Sequence, residues 1–205
     1  IKHASMCRDP LAGMHRWYVL LELSSQAREG LRAMMEDILM TAAERRLLND
    51  ATIAENIEQT KAFWLLRHHI ADTQKYEGGS IKHDVSVPVN AVPDFITEAT
   101  AAVEAMIPGC RPVPFGHLGD GNIHFNISQP LGADRAAFIG RWNEVNNTVF
   151  AIVAKHGGSI SAEHGIGVMK RDLLPSVKDP VAIELMRNLK RMLDPKGILN
   201  PGKVL

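Results

Sequence analysis

The dipeptide Asp120-Gly121 constrains this chain more than any other local feature, because Asp-Gly is a strong signal for a two-residue hairpin turn. Folding residues 116–127 about this dipeptide predicts that His117 lies directly opposite His124. Directly opposed Cβ atoms are about 4.5–5.5 Å apart, so two such imidazoles are close enough to share a metal ion. A longer loop over residues 119–122 would shift this register.

The two faces of the predicted hairpin differ in chemistry. Side-chain alternation places Asn122, His124 and Asn126 on the face of His117. The other face carries only apolar side chains: Leu118, Ile123, Phe125 and Ile127. One face is therefore predicted to belong to the core and the other to a binding site, with a purely structural histidine pair as the alternative.

A second segment, 157–167, carries an adjacent carboxylate and imidazole, Glu163 and His164, among glycines. In an extended chain, adjacent side chains point to opposite sides. Glu163 is therefore the predicted third ligand of the histidine pair, and His164 is left free for proton transfer. Two histidines and one carboxylate leave open coordination positions, which is typical of a catalytic metal site. A solvated Glu-His pair at a strand end is the alternative.

Two cations are candidates for binding a carboxylate. Arg67 lies in a predicted helix, and Lys82 lies in a predicted strand. Arginine grips a carboxylate through two parallel hydrogen bonds, and lysine adds a point charge. The alternative is that Arg67 and Lys82 are solvated surface charges.

Charge and composition exclude several classes of protein. Lys and Arg together number 23, as do Asp and Glu, so no strong field favours nucleic acid or an anionic membrane. No apolar run is long enough to span a bilayer, and no signal-peptide pattern is present. Two cysteines do not indicate a disulfide framework. The expected location is the bacterial cytoplasm or, in a eukaryote, the mitochondrial matrix.

Hydrophobic periodicity predicts a mixture of strands and helices, after fifteen residues without a clear pattern. The predicted strands are 16–23 (buried), 81–87, the two arms of the hairpin, and 159–162. The predicted helices are 26–47, 52–73, one beginning near Pro93, 134–156 and 180–193. This mixture favours an α+β domain in which helices cover one side of an antiparallel sheet.

Three ordered motifs resemble one known family. Residues 116–124, 161–167 and 193–203, within a similarity that covers 16–205, resemble the C-terminal domain of FAD-linked oxidases of the vanillyl-alcohol-oxidase type. The resemblance is strongest to the D-2-hydroxyglutarate and flavin-dependent D-lactate dehydrogenases. It implies that residues 1–205 form a substrate-binding or cap domain with a ferredoxin-like sheet. It also implies that the N-terminal FAD-binding domain is absent, and that 175–205 form a helix and tail packing toward that domain.

The resemblance implies a role for each residue of the candidate centre. His117, His124 and Glu163 are expected to bind a divalent metal, zinc or manganese. His164 is expected to lie beside the flavin and the substrate, where its ordinary pKa of about 6.5 suits a catalytic base.

The resemblance implies further binding residues outside that centre. Arg67 and Lys82 correspond to positions that bind substrate carboxylates, Asn126 to a polar position in the pocket, and Asn200 to a position near the cofactor. Lys82 is typical of the hydroxyglutarate branch, whereas the lactate branch tends to lack a cation there. Ala71 is a departure, because the hydroxyglutarate branch tends to have threonine at that place.

The implied activity is oxidation of a D-2-hydroxy acid, D-2-hydroxyglutarate above others, to the 2-oxo acid by hydride transfer to FAD with metal assistance. D-lactate dehydrogenase and a glycolate oxidase subunit are the alternatives within the family. A non-catalytic metal-binding or interaction module is the alternative of another class. Expected partners are an electron acceptor (an electron-transfer flavoprotein, a cytochrome or a quinone) and a second copy in a homodimer, but no nucleic acid.

Overall fold

The computed structural model describes residues 1–27 and 29–205, and the chain divides into two units, Ile1–Tyr76 and Glu77–Leu205. The first unit contains helices α1 (Leu31–Glu44) and α2 (Ile57–Thr73). The side chain of Asn56 accepts a hydrogen bond from the third residue of α2 and so caps that helix. Both helices begin later than predicted, and position 28 of the predicted helix 26–47 lies outside the described residues.

The predicted buried strand 16–23 is wrong. This segment forms no ladder with any described residue, and Trp17 and Val19 are 55% and 83% exposed. A strand requires a neighbouring strand to pair its backbone N–H and C=O groups, and an apolar sequence by itself supplies no such neighbour.

The second unit contains an antiparallel sheet centred on one strand. The strands are β1 (Ser80–Ile81), β2 (Asp84–Ser86), β3 (Arg111–His117) and β4 (Asn122–Ser128). Both β1 and β2 pair along one side of β4, and β3 pairs along the other. Strand β4 is therefore the central element that positions the candidate site.

Strands β1 and β2 are two halves of the predicted strand 81–87. Ile81 is level with Ile127 and Asp84 with His124, so one register continues across the interruption. At the interruption, His83 Nδ1–H donates to the carbonyl of Phe125 at 2.8 Å. A side-chain hydrogen bond thus occurs at the level where the ladder is broken.

Five helices complete the second unit: α3 (Val92–Met106), α4 (Arg135–Gly140), α5 (Trp142–Lys155), α6 (Leu174–Val177) and α7 (Pro180–Leu193). Apolar side chains of α3 and α5 join those of β4 in one core. The prediction of an α+β fold is confirmed. The predicted helix 134–156 is broken at Arg141, whose backbone leaves the helical conformation and whose guanidinium donates to the Met106 carbonyl at 2.8 Å.

The predicted strand 159–162 is reduced to one bridge, in which Ser159 pairs with Ser86. This bridge lies beside β2, β2 beside β4, and β4 beside β3, which is the strand order of a ferredoxin-like sheet. A Cβ on Gly158 would lie 2.2 Å from the Ser86 carbonyl oxygen, so glycine is required for this approach. Among the described residues, no helix has the length and apolar composition needed to cross a bilayer.

Candidate functional site

The hairpin loop is longer than the Asp-Gly signal predicted. Four residues, 118–121, join β3 to β4, so His117 pairs with Asn122, and the prediction that it pairs with His124 is wrong. The Leu118 carbonyl accepts from the Gly121 amide at 3.4 Å, and Asp120 Oδ1 accepts from the Asn122 amide at 3.0 Å. Asp120 and Gly121 therefore occupy the last two positions of a β-turn and not its centre.

The predicted polar face survives this change. The register shifts by two residues, and only an odd shift would move side chains to the opposite face. His117, Asn122, His124 and Asn126 therefore still share one face. The rings of His117 and His124 lie diagonally, with centroids 6.5 Å apart and planes nearly perpendicular.

The carboxylate of Glu163 lies between these two imidazoles. Its Oε1 is 3.4 Å from His117 Nδ1, and its Oε2 is 3.9 Å from His124 Nε2. The side chains of His117 and Glu163 are about half exposed, whereas that of His124 is 18% exposed. The three residues predicted to be ligands thus converge, on a side of the sheet that solvent reaches.

The backbone at Glu163 and His164 is not extended as predicted. Both amide N–H groups donate to the same oxygen, Asp84 Oδ2, at 3.0 and 2.8 Å. Consecutive N–H groups of an extended chain point to opposite sides, so this convergence requires a bend. His164 Nδ1 lies 3.6 Å from the same oxygen, and its ring centroid is 6.1 Å from that of His124.

Sequence reasoning missed Asp84 as part of the site. Its carboxylate is buried and lies level with His124 across the β2–β4 ladder. Burial acts to raise the pKa of Asp84, but the amides of His164 and Glu163, together with the charges of the His164 and Lys170 side chains, outweigh it and hold the pKa below its ordinary value. Alternation along residues 81–87 places Asp84 on the same side as the polar Lys82 and Ser86, so no local signal marked it as buried.

Lys170 closes the segment that carries Glu163 and His164. Its ammonium donates to the Ile160 carbonyl at 2.6 Å, contacts the Asp84 carbonyl at 3.5 Å, and lies 5.7 Å from the centre of the Phe150 ring. Burial lowers the pKa of Lys170, and the nearby Asp84 charge partly opposes this effect. Lys170 therefore connects the two ends of the segment 160–170.

The donor set of this centre fits a divalent cation. Two imidazoles and one carboxylate are ligands that zinc accepts, and they leave a position for substrate. Asp84, Glu163 and His164 also bring ligand atoms within 4.8 Å of one another. His117, His124 and Glu163 stay the predicted ligands; Asp84 Oδ2 accepts two backbone hydrogen bonds, whereas Asp84 Oδ1 has no hydrogen-bond partner among the described residues.

The other predicted binding residues occupy different places. Lys82 is exposed and, by the continuous register, level with the buried Asn126 on the face of the histidines. Arg67 lies on α2, in the first unit. Asn200 is exposed in the tail after α7, with a φ of 45°. The binding roles of all four residues stay predictions.

The tail before Asn200 is organised around a buried carboxylate that sequence reasoning also missed. Asp194 accepts from the amides of Ile198 and Leu199, both at 2.9 Å, and from Lys190 Nζ at 2.6 Å. This arrangement fixes the turn that follows α7.

Comparison with known proteins shows the family to which this chain belongs. The family model described as FAD linked oxidases, C-terminal domain, matches residues 2–204. The chain therefore belongs to that family.

Three relatives of the chain are named as D-2-hydroxyglutarate dehydrogenases. The chain is 34% identical over its whole length to the mitochondrial D-2-hydroxyglutarate dehydrogenase of Arabidopsis thaliana. It is 40% identical over 92% of its length to the D-2-hydroxyglutarate dehydrogenase of Stutzerimonas stutzeri, and 35% identical over 92% to the mitochondrial protein of that name from Rattus norvegicus. The chain spans 35%, 40% and 34% of these three proteins.

Proposed function

We propose that this chain is the substrate-binding part of an FAD-dependent dehydrogenase that oxidises a D-2-hydroxy acid, D-2-hydroxyglutarate above others, to the 2-oxo acid. The observation that carries the proposal is the Glu163 carboxylate, whose two oxygens face two different imidazoles. The names of the relatives support the choice of substrate, and membership of the family supports FAD.

His117, His124 and Glu163 hold a divalent metal, zinc or manganese, in this proposal. The bound metal would lower the pKa of the substrate hydroxyl and stabilise negative charge on its oxygen. The half-exposed side chains of His117 and Glu163 leave room for the substrate to reach this centre. The more buried His124 anchors the set to the central strand.

His164 is the proposed base that takes the proton of the substrate hydroxyl. Its Nδ1 lies 3.6 Å from Asp84 Oδ2, which favours a proton on Nδ1 and leaves Nε2 to accept the substrate proton. The side chain is 69% exposed, so Nε2 is accessible to a substrate. Bound FAD would accept the C2 hydrogen as a hydride, and His164 and Asn200 are the residues proposed to lie beside it.

The substrate carboxylates are the proposed ligands of two cations. Arg67 orients the carboxylate next to the reacting carbon, and Lys82 binds the distal carboxylate of a dicarboxylic substrate. Asn126 supplies a further polar contact. Ala71 offers no side-chain hydrogen bond near Arg67, so D-malate and D-lactate stay among the candidate substrates.

FAD is proposed to bind mainly to a separate domain, toward which the helix and tail 175–205 pack. One long side of α7 and the tail expose apolar side chains to solvent: Val181, Leu185, Leu189, Met192, Ile198 and Leu199. This exposed surface supports a packing role, because soluble proteins seldom leave large apolar patches uncovered. The electron acceptor is proposed to be an electron-transfer flavoprotein, a cytochrome or a quinone, in a bacterial cytoplasm or mitochondrial matrix, and the enzyme is proposed to be a homodimer.

A substrate panel tests the proposal. The FAD-loaded enzyme that contains this chain is given D-2-hydroxyglutarate, D-malate, D-lactate and their L-enantiomers, with a dye as electron acceptor and with or without a chelator. We expect D-2-hydroxyglutarate to give the highest kcat/KM, the L-acids to be inactive, and the chelator to abolish turnover. Absence of turnover with every D-acid would refute the proposed activity, and full turnover with chelator would refute the metal role.

Single substitutions then test the residue roles. His164→Ala is expected to lower kcat by roughly 100-fold or more, as is usual when a general base is removed. His68→Ala is the matched control, because His68 is an exposed histidine of α2. A His164→Ala enzyme with kcat close to that of the control would remove the base role.

A further inference from the structure

We propose that Asp84 is a positioning residue that sets the geometry of Glu163 and His164, and through them the affinity of the site for its metal. This inference rests on the proposed function, because it concerns the same centre. The Asp84 carboxylate contacts this segment at the backbone amides of Glu163 and His164 and near the His164 ring, and the Asp84 backbone carbonyl contacts Lys170 at 3.5 Å.

The backbone amides of Glu163 and His164 point toward the same carboxylate oxygen. Both N–H groups converge on Asp84 Oδ2, at 3.0 and 2.8 Å, where an extended segment would direct only one of them. A charged acceptor makes such hydrogen bonds stronger than a neutral one does. Asp84 thus stabilises the bend that directs the Glu163 side chain toward the imidazoles and leaves the His164 ring beside the carboxylate.

Asp84 supplies the hydrogen bonds from the sheet to Glu163 and His164, whereas the bond from Ser161 Oγ to the Gly165 carbonyl, at 2.8 Å, lies within the segment itself. Residues 161–170 form bends and turns without a helix or strand, and Gly165 and Gly167 have positive φ angles. The Ser86–Ser159 bridge holds the start of the segment, and Lys170 holds its end at the Ile160 carbonyl. Between these points, Asp84 supplies the hydrogen bonds that hold the two functional residues to the sheet.

The Asp84 carboxylate is itself buried. The Asp84 side chain is 3% exposed, and Oδ1 has no hydrogen-bond partner among the described residues. A buried carboxylate is unfavourable for folding unless it is well paired. The aspartate at this strand position is therefore better explained by the two backbone amides that bind Oδ2 than by a contribution to the stability of the fold.

Cobalt titration of the 205-residue chain tests the inference, because Co²⁺ bound by histidine and carboxylate absorbs visible light. Asp84→Ala is expected to weaken Co²⁺ binding by roughly 10–100-fold, the usual effect of losing a group that orients metal ligands. Asp84→Asn keeps an acceptor oxygen and is expected to lose less. Asp134→Ala is the matched control, because Asp134 also accepts a backbone amide, at 2.7 Å, but caps the distant helix α4.

Amide hydrogen exchange supplies a second readout that does not depend on metal. The amides of Glu163 and His164 are expected to exchange faster in Asp84→Ala than in the wild-type chain or in Asp134→Ala. Circular dichroism shows whether each variant is folded, and Asp84→Ser replaces Asp84→Ala if the alanine variant does not fold.

The outcomes separate this inference from the proposed function. Unchanged Co²⁺ affinity in folded Asp84→Ala overturns the inference and leaves the proposed function standing. If Asp84→Asn binds Co²⁺ as weakly as Asp84→Ala does, the proposed role of the acceptor oxygen is overturned. If the wild-type chain binds no Co²⁺, the metal role of the proposed function fails; faster exchange at Glu163 and His164 would then still support positioning, and unchanged exchange would overturn it.

Discussion

Acid is expected to destabilise the second unit through the buried imidazole of His83. This side chain is 2% exposed, and its Nδ1–H donates to the Phe125 carbonyl. Burial lowers the pKa of His83 to about 4, and the hydrogen bond to the Phe125 carbonyl opposes this effect only in part. The folded unit therefore keeps His83 neutral at pH values where the unfolded chain binds a proton.

The sign and size of this change in stability follow from the pKa of His83, which is 6.5 in the unfolded chain and about 4 in the folded unit. Above pH 6.5 both states are neutral at His83, and its contribution to stability is fully present. As the pH falls from 6.5 to about 4, only the unfolded chain gains the proton, so the free energy of unfolding decreases. The gap between the two values corresponds to a loss of about 3 kcal/mol, and below pH 4 no further loss arises from His83.

Urea unfolding of the metal-free chain, followed by circular dichroism between about pH 7.5 and 4, measures this loss. His83→Gln carries no titrating group there, so its unfolding free energy should fall by about 3 kcal/mol less than that of the wild type over the same range. His164→Gln removes an exposed imidazole from the same unit and is the control. Parallel pH profiles for the wild type and His83→Gln would refute the reasoning.

Three further perturbations test the packing and the specificity. Gly158→Ala is expected to lower the unfolding free energy by about 1–3 kcal/mol, because its Cβ would meet the Ser86 carbonyl; Gly140→Ala, whose Cβ meets open space, should show no such loss in urea unfolding. Lys82→Met should lower kcat/KM for D-2-hydroxyglutarate by roughly 10–100-fold, as expected for losing a charged hydrogen bond, and equal loss for D-lactate would contradict the role. Asp194→Ala should speed amide exchange in the turn after α7, and unchanged exchange would show that its two backbone hydrogen bonds are dispensable.

The predicted common face of the histidines is right although the predicted register of the hairpin is wrong. The loop between His117 and His124 is longer than Asp120-Gly121 indicated, yet both side chains kept their common face because the register moved by an even number of residues. Alternation is therefore a more robust prediction than register. The local turn signal could not distinguish a dipeptide at the centre of a turn from one at its end.

Local sequence patterns do not predict features that depend on contacts between residues far apart in the chain. The segment 16–23 has the composition of a buried strand, but strand formation depends on a partner that composition does not reveal. Asp84 lies level with His124 only because β2 pairs with β4, a contact between residues forty positions apart. The approach of Glu163 to the two histidines could be predicted from the chemistry of metal ligands. The bend that Asp84 stabilises could not, because it depends on the pairing of β2 with β4.

The zinc content of the purified 205-residue chain is the sharpest test of whether His117, His124 and Glu163 form one metal site. The chain is saturated with zinc, dialysed against zinc-free buffer and measured by elemental analysis. We expect about one zinc per chain, loss of that zinc in His117→Ala and in Glu163→Gln, and full retention in the exposed control His68→Ala. A wild-type chain without zinc, or site variants that retain as much zinc as the control, would contradict the proposed metal site.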